Sequence, residues 1–285
     1  LKDPQPRRTA CLSGAPHAID RVPPEHLGII EAEDGVELLG VTGIETVNLF
    51  IRPGRLPLWD ENADFRRAVN LSFDRVPLVE NLVLGSSAVA GSFLPTETLF
   101  YEEQSPPYTA DPDGAREALA AAGVADGGPE FEIWVAEGFL PRGVQVVEAI
   151  AAQMREIGLK PTVVTSDVAG LIDDAFSDTG TGSMYHLSWA TAGDPNQAAA
   201  VYSSAFAWYF GDEELDSLIA EGRTTVDAAE RAAVYAELQA HMWEQGWHVP
   251  LYNSDFTLAH VSDLEGILVQ PNVFRTDFYE ASLSN

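Results

Sequence analysis

The stretch Phe131–Thr165, FEIWVAEGFLPRGVQVVEAIAAQMREIGLKPTVVT, decides the fold of this chain. Its first residues place Phe, Ile and Val at every second position, its middle repeats apolar residues at helical spacing up to Gly158, and its last residues are mostly β-branched. This order predicts a strand, a helix that buries Val147, Ile150 and Met154, and a second strand parallel to the first. The chain is therefore expected to be an α/β protein.

Helices and strands outside this unit carry their own start and stop signals. Asp111-Pro112 combines an N-cap residue with a proline at the first helical position, which predicts a helix that ends near Gly123. Two further helices are predicted over Asp212–Gly222 and Asp227–Gly246, the second with one apolar face formed by Tyr235, Leu238 and Met242. The run Trp247–Tyr252 then predicts a strand.

The run Met184–Trp189 predicts a buried strand, which stops at the turn residues Gly193–Pro195. Side chains at the carboxyl end of such a strand face the crevice of an open α/β sheet, where ligands usually bind. Trp189 is therefore either a core residue or a flat platform for a ligand. Asp194 is most simply a turn or N-cap carboxylate, and ligand contact is its alternative.

Composition excludes several classes of protein. The 285 residues are 46% hydrophobic, which suffices for one or two domains with a sizeable core. The formal net charge is −28, because 44 acidic residues face 16 basic ones, and such a surface repels nucleic acid and anionic lipid. No apolar run reaches the roughly 18 residues of a membrane span. The lone Cys11 cannot form an internal disulfide and resembles a small core residue.

Motifs of common enzymes and metal sites are absent from the sequence. It has no G-x-S-x-G, no H-E-x-x-H and no glycine-rich phosphate loop, and its six scattered histidines and one cysteine cannot build a zinc site of ordinary spacing. We therefore expect no cofactor and no metal. The carboxylates Asp173, Asp174 and Asp178 lack the spacing of a calcium loop and predict a solvated helix face. A hydrolase with a two-carboxylate site stays open as the alternative function.

Several short motifs follow one another along nearly the whole chain. They are Ile19–Asp20, Val22–Pro24, Val47–Ile51, Phe65–Arg75, Asp113–Leu119, Ile157–Leu159, Trp189–Pro195, Glu214–Ile219, Arg231–Gln239 and Val249–Tyr252. In order and spacing they resemble the extracellular solute-binding proteins of family 5, the oligopeptide-, dipeptide- and nickel-binding receptors of ABC importers. The resemblance implies a type II periplasmic-binding-protein-like lobe, with a mixed, mostly parallel sheet flanked by helices, plus a partial first lobe.

The resemblance covers only the carboxyl-terminal half of such proteins. It implies that residues 1–50 and 251–285 are a remnant of the first lobe and that residues 51–250 form the second lobe. The implied function is capture of a peptide-like or other small polar organic ligand between two lobes and its delivery to a membrane permease. The implied partners are that ligand, the ABC permease and the missing amino-terminal half. A lobe that serves only as an assembly or sensing surface is a further alternative.

The resemblance also implies a location and a set of ligand-binding residues. The location is extracellular or periplasmic, with a lipoprotein anchor in the full-length form, although Thr9-Ala10-Cys11 itself lacks the features of a lipoprotein signal. In peptide-binding members, a carboxylate three residues after the tryptophan holds the ammonium group of the ligand, but Ala192 stands there in this chain. This departure weakens the expectation of a free α-amino group. The predicted ligand-binding residues are Trp189, Thr191, Ala192, Asp194 and Tyr209.

Overall fold

The fold is described from a computed structural model. The described residues are 9–10, 16–20, 22–84, 87–104, 107–126, 128–191, 193–206, 210–269 and 276–284, without the side chains of residues 42–44. Cys11, for which a core position is predicted, lies outside them. Among the described residues, no helix combines the length and the apolar character that crossing a membrane requires.

Within the described ranges, seven strands form the central sheet. They are β1 (Ala18–Asp20), β2 (Val36–Ile51), β3 (Ser87–Val89), β4 (Glu130–Ala136), β5 (Lys160–Ser166), β6 (Met184–Ala190) and β7 (His248–Val261). Their order across the sheet is β1-β7-β2-β6-β4-β5, and β3 also pairs with β7. Four two-residue strands pair outside this sheet, β9 (Leu268–Val269) with β10 (Thr276–Asp277) and β8 (Leu264–Glu265) with β11 (Ser282–Leu283).

The sheet is mixed, as predicted, but it is mostly antiparallel rather than mostly parallel. Strand β4 pairs in parallel with β5 and β6, whereas the β1–β7, β2–β6, β2–β7 and β3–β7 pairs are antiparallel. The expectation of mostly parallel pairing, which came from the resemblance, was wrong because the two longest strands pair with each other in antiparallel orientation. Strand β2 has 16 residues and pairs along most of its length with β7.

Helices flank the sheet. Within the described residues they are α1 (Pro24–Glu31), α2 (Pro57–Glu61), α3 (Ala63–Leu71), α4 (Arg75–Pro77), α5 (Pro112–Ala121), α6 (Gly143–Glu156), α7 (Val168–Phe176), α8 (Pro195–Ala199), α9 (Glu213–Thr224) and α10 (Ala228–Gln245), with a π-helix at Leu78–Leu82 and 3-10 turns at Ala200–Tyr202 and Ser204–Phe206. The predicted cap at Asp111 is confirmed, and the side chains of Asp212 and Asp227 likewise accept backbone N–H groups at the starts of α9 and α10, the two helices predicted to begin there. Gly246 ends α10 in the left-handed conformation, with φ of 62°.

The βαβ unit is confirmed. Strands β4 and β5 pair in parallel, from Glu130 opposite Lys160 to Ala136 opposite Ser166, and α6 connects them. Val147, Ile150 and Met154 of α6 are fully buried. Replacing such a side chain by alanine typically costs about 2–5 kcal/mol, so this helix contributes strongly to the stability of the sheet.

The hydrophobic core consists of a main cluster and smaller ones. Tyr235, Leu238 and Met242 of α10 are fully buried in the main cluster, as their helical spacing predicts. A second cluster lies around Ile30 of α1 and Ala259 near the end of β7. The sheet therefore packs against different partners at its two ends.

Strand β2 contributes to both of these clusters. Val47 lies in the main cluster, and Val36 packs against the second. Between these two positions, the register of β2 against β7 shifts from Val41 to Glu45. Such an irregularity bends a strand and changes the direction of its side chains. The division of the chain into two lobes, with boundaries near residues 50 and 251, stays a prediction.

Candidate functional site

A cavity of about 1350 Å³ opens beside β2 and β7. Its described lining comes from three parts of the fold: residues 22–25, 27 and 255–257 near α1 and β7; residues 137–145, 167–169, 172 and 173 after β4 and β5; and Glu45, Val47, Val83, Ser87, Tyr252 and Ser254 on or next to β2, β3 and β7. The second group follows the carboxyl ends of parallel strands, which is where α/β sheets usually bind ligands.

Strand register brings the floor of the cavity together, and we define this floor as Glu45, Val47, Tyr252 and Ser254. Glu45 lies opposite Ser254, and Val47 lies opposite Tyr252 on β7 and Ser188 on β6. Residues directly opposite each other in antiparallel strands point to the same face of the sheet. The floor is therefore one continuous patch formed by strands that are far apart in sequence.

Glu45 is a buried carboxylate on this floor, with only 7% of its surface exposed. The hydroxyl of Ser188 donates to its Oε1 at 3.0 Å, and the hydroxyl of Ser254 donates to its Oε2 at 3.3 Å. The hydroxyls of Ser188 and Ser254 help to orient the carboxylate, and they come from two different strands.

Tyr252 carries a polar atom that the described residues do not satisfy. Only 2% of the residue is exposed, and its hydroxyl has no hydrogen-bond partner among them. Burial, together with the nearby charge of Glu45, raises the pKa of Tyr252, so the phenol stays protonated at neutral pH. A buried hydroxyl without a partner typically costs about 1–3 kcal/mol.

The segment between β4 and α6 supplies another part of the lining. Arg142, just before α6, has a φ of 50°, in the left-handed region that non-glycine residues seldom adopt. Gly143 follows it, and a Cβ there would lie 3.1 Å from the ring of His186. His186 is itself buried, and burial lowers its pKa to about 4, so the ring is neutral at pH 7. Close packing on β6 therefore fixes where α6 begins at the cavity.

The described lining carries an excess of negative charge. Its carboxylates are Glu25, Glu45, Glu137, Asp167, Asp173 and Asp255, and Arg142 is the one cationic side chain among the described lining residues. Like charges that surround a concave site raise the local concentration of ions of the opposite sign. The described part of the lining therefore favours positively charged groups over anionic ones.

Trp189 lies on β6 but is not among the described residues that line the cavity. It is opposite Thr46 on β2, and because side chains alternate along a strand, it points away from the face that holds Ser188 and Glu45. It packs against the main cluster while staying half-buried. Its buried indole N–H has no partner among the described residues. Of the two interpretations of Trp189, its packing favours the core residue.

Thr191 and Asp194 do not line the cavity within the described residues either. Thr191 is buried, and its hydroxyl lies 2.8 Å from that of Thr98. Asp194 accepts the backbone N–H of Asn196 at the start of α8, and it forms an ion pair with Arg231 at 2.9 Å. The interpretation of Asp194 as an N-cap is confirmed. Ala192 and Tyr209, which are also predicted to bind the ligand, lie outside the described residues.

Tyr185 and His186 lie on opposite faces of β6, because side chains alternate along a strand. Tyr185 packs on α7, and His186 packs on the start of α6. Asp174 is engaged rather than merely solvated, because it accepts hydrogen bonds from the hydroxyl of Tyr185 and from the N–H groups of Thr181 and Gly182. Partial burial alone would raise the pKa of Asp174, but these hydrogen bonds lower it. Across the described residues, no group of three or more potential ligands could hold a metal ion.

Sequence reasoning missed the floor of the cavity. The available signal was Glu45 itself, a carboxylate in the otherwise apolar and β-branched stretch Val41–Ile51. A charged residue in such a strand is rarely fully buried unless it is paired or functional. The serines and Tyr252 carried no comparable signal, because their proximity to Glu45 depends on pairing between distant strands.

A cavity beside two long strands that join two apolar clusters is the architecture of a type II periplasmic binding protein. The oligopeptide-binding protein AppA from Bacillus subtilis, solved with a nonapeptide, matches 100% of this chain and 59% of its own, with a TM-score of 0.85 and 18% identity. A dipeptide-binding protein from Pseudoalteromonas sp. SM9913, solved with Met-Leu, matches 99% of this chain and 57% of its own, with a TM-score of 0.84 and 20% identity. At these identities the likeness shows the fold.

The chain belongs to the bacterial extracellular solute-binding proteins of family 5, because the profile of the middle region of that family matches residues 1–210. A probable di/tripeptide-binding protein 5 of Pseudomonas aeruginosa is 28% identical over 217 residues, which are 72% of this chain and 40% of the relative. The glutathione-binding protein GsiB of Shigella dysenteriae is 22% identical over 88% of this chain and 50% of the relative. The chain thus spans half or less of the length of these curated relatives.

Proposed function

We propose that this chain is part of the substrate-binding component of an ABC importer and captures a peptide-like or other small polar organic ligand. The observation that carries this proposal is the cavity of about 1350 Å³, which is lined by residues near α1, on β2 and β7, and after β4 and β5. The chain that contains it belongs to a solute-binding family. Relatives named for binding di/tripeptides and glutathione make a peptide-like ligand the first choice.

The size of the cavity supports a ligand larger than a single amino acid. Pockets for drug-sized molecules commonly measure about 300–1,000 Å³, and this cavity exceeds that range. A short peptide with some of its hydration water fits such a volume. The polar and charged lining supplies the few directed contacts that orient such a ligand, while Val47, Phe139 and Phe256 supply apolar surface.

In this proposal the ligand is captured by closure of two lobes, and β2 and β7 are the connection about which they move. Both strands run continuously past the cavity, so a small change of twist at the irregularity near Glu45 changes its width. A ligand that contacts both sides favours the closed form, which the membrane permease then recognises. The names of the relatives favour capture over the alternative hydrolase function.

The proposal also includes the setting of the protein. The family consists of extracellular proteins, which supports an extracellular or periplasmic location, with a lipoprotein anchor in the full-length form. The chain spans about half of the relatives, which supports an amino-terminal half that completes the first lobe. Ligand contact by Trp189, Thr191, Ala192, Asp194 and Tyr209 stays a prediction.

A cavity-filling substitution tests the proposed function. Ala169 is an exposed residue of the cavity lining on α7, and Ala121 is an exposed residue on α5 outside the lining. Trialanine and glutathione are titrated into the protein and followed by calorimetry and by backbone NMR. We expect shifts at residues 137–145 and 254–257 and at least about a tenfold loss of affinity in Ala169→Trp, with Ala121→Trp unchanged. Wild-type affinity in Ala169→Trp would contradict the assignment of the cavity as the binding site.

A further inference from the structure

Strand β7 has one residue more than β2 next to the floor of the cavity. Val47 lies opposite Tyr252, and the next residue of β2, Asn48, lies opposite Pro250. Leu251 therefore has no counterpart on β2, and an extra residue of this kind is a β-bulge. The bulge directly precedes the part of β7 that belongs to the floor.

Two successive carbonyl groups at this bulge bond to groups outside β2. The carbonyl of Pro250 accepts the Nε–H of Arg75 at 2.6 Å, and the carbonyl of Leu251 accepts the backbone N–H of Ala90 at 3.2 Å. In a regular antiparallel ladder, successive carbonyls point to opposite sides of the strand, so one of the two would face β2. The two donors therefore stabilise the bulged form of β7.

The bulge determines which residues of β7 belong to the floor. If pairing with β2 continued regularly from Pro250, Leu251 would take the place of Tyr252. In the same way, Asn253 would take the place of Ser254. The floor would then contain a leucine and an asparagine instead of a tyrosine and a serine, so the side chains that a ligand meets depend on the bulge.

Arg75 is a buried cation whose acceptors in the described structure are uncharged oxygens. Only 3% of the residue is exposed. Besides the carbonyl of Pro250, its guanidinium group bonds to the carbonyls of Asn70 and Tyr108 and to the side-chain oxygen of Asn70. It also lies 4.4 Å from the centroid of the Phe73 ring. Burial lowers the pKa of Arg75 to about 9, so the group stays charged at neutral pH.

A buried charge of this kind is a poor source of stability, because removing it from water is costly even when all its hydrogen bonds are made. The best-attested role of buried polar and ionic groups is to fix the register of the elements around them. Asn70 belongs to the same network, since its Nδ2 donates to the carbonyl of His248 at 3.2 Å. Arg75 and Asn70 thus hold the backbone of β7 up to the bulge.

We propose that Arg75 is a positioning residue of the cavity, which fixes the bulge at Leu251 and thereby places Tyr252 and Ser254 on the floor. This inference rests on the proposed ligand-binding function of the cavity. Arg75 is not among the described residues that line the cavity, and it acts only through the backbone of β7. The chemistry that the floor offers to a ligand therefore depends on a guanidinium group outside it.

Arg75→Lys tests this role, and Arg66→Lys is the matched control. Lysine keeps the positive charge, but its single ammonium cannot reach all the acceptors around a guanidinium fork. Arg66 is also buried, with 4% of its surface exposed, and it donates to the carbonyls of Trp59 and Gln245 rather than to β7. Chemical denaturation measures the stability of each variant. Cross-strand NOEs report the pairing at the floor, and calorimetry measures the affinity for trialanine and glutathione.

Both substitutions should lower stability, but only Arg75→Lys should change the floor. In this variant, NOEs between Val47 and Tyr252 should weaken, and NOEs between Val47 and Leu251 should appear. Affinity for the probe that the wild type binds more tightly should fall at least about tenfold, because binding groups must be held to within about 0.5 Å of their productive positions. Arg66→Lys should keep the NOEs of the wild type and an affinity within about threefold of it.

Two results would overturn the positioning role and leave the proposed function standing. One is an unchanged set of NOEs between Val47 and Tyr252 in a folded Arg75→Lys protein. The other is an equal loss of affinity in Arg75→Lys and Arg66→Lys, which would show that any loosening of the fold weakens binding. If the wild type binds neither probe, the peptide-like ligand falls, whereas the NOEs still decide whether Arg75 sets the floor.

Hydrogen exchange of the wild type replaces the variant if Arg75→Lys does not fold. If Arg75 fixes the floor, its Nε–H and the backbone N–H groups of residues 252–254 become accessible through the same opening, so their protection factors should agree within about tenfold. Protection of these backbone groups that exceeds that of the Arg75 Nε–H by more than about tenfold would show that the floor stays ordered while the guanidinium is released. That result would overturn the proposal.

Discussion

Thr191 and Asp194 in the loop after β6 differ from Tyr252 on the floor of the cavity in what their polar side-chain atoms contact. In the loop, the hydroxyl of Thr191 bonds to Thr98 and the carboxylate of Asp194 pairs with Arg231. On the floor, the hydroxyl of Tyr252 is buried without a partner among the described residues. The comparison teaches that a polar group satisfied by its own chain stabilises the fold, whereas a buried one without such a partner costs stability.

Replacement of Trp189 is expected to have the largest effect among the substitutions that test this difference. Because it packs against the main cluster, Trp189→Ala should lower the free energy of unfolding by about 3 kcal/mol, near the lower end of the cost for large aromatic residues. Affinity for trialanine should change less than about threefold, since 3 kcal/mol of lost stability leaves most molecules folded. Chemical denaturation and calorimetry measure the two effects. Tyr279→Ala removes an aromatic residue that is 92% exposed and is the matched control.

The opposite result would reverse the roles of the two regions. A loss of affinity of tenfold or more in Trp189→Ala, with little loss of stability, would place the ligand at the loop after β6. That outcome would support the ligand contacts predicted from the sequence.

The pH dependence of stability tests the packing beside the cavity. Burial lowers the pKa of His186 to about 4 from an ordinary value of 6.5. Between these pH values the unfolded chain binds a proton that the folded chain does not bind, so stability should fall as the pH drops from 6.5 to 4, by on the order of 3 kcal/mol. The slope of unfolding free energy against pH should flatten in His186→Gln. The exposed His17→Gln should keep the slope of the wild type.

An equal slope in His186→Gln and the wild type would show that His186 is not held neutral by the fold. The informative quantity is the difference between the wild type and His186→Gln in how the unfolding free energy depends on pH. The acidic residues contribute equally to both curves and therefore cancel in this difference.

The smallest expected effects are changes in the free energy of unfolding on removal of one hydroxyl from each region. They have opposite signs, so they test the difference between the loop and the floor directly. Tyr252→Phe removes a buried hydroxyl that lacks a described partner and should raise the free energy of unfolding by about 1 kcal/mol. Thr191→Val removes the hydrogen bond to Thr98 and should lower it by about 1 kcal/mol. Both predictions can be tested by chemical denaturation of the two variants and the wild type. A change in the denaturant midpoint reports a change in stability if the dependence of the unfolding free energy on denaturant concentration stays the same. Destabilisation by both substitutions would mean that the hydroxyl of Tyr252 is satisfied after all.

Local structure could be predicted from the sequence because its signals are local. The caps at Asp111, Asp212 and Asp227 each involve a side chain and backbone groups within a few residues. The βαβ unit follows from apolar spacing within Phe131–Thr165 and from the right-handed connection of parallel strands. The role of Asp194 as an N-cap belongs to the same class of local signal.

The floor of the cavity could not be predicted in the same way. Its geometry depends on the register of β2 against β7 and on the irregularity between Val41 and Glu45, and neither is encoded in neighbouring residues. The same limit explains the wrong expectation of mostly parallel pairing. Glu45 could have been singled out as an unusual charge in a strand, but its partner Ser254 could not.

The pairing of β2 with β7 also affects how the protein acquires its fold. Thr46 and Asn253, which are hydrogen-bonded across this pair, are 207 positions apart, whereas β4 and β5 are joined through a single helix. Closing a loop of that length costs roughly 5 kcal/mol of chain entropy before its contacts contribute, about 2 kcal/mol more than closing the βαβ unit. We therefore expect the βαβ unit to form early and the long strand pair late. During synthesis, the pairing of β2 with β7 beside the cavity can form only after residues 248–261 have left the ribosome.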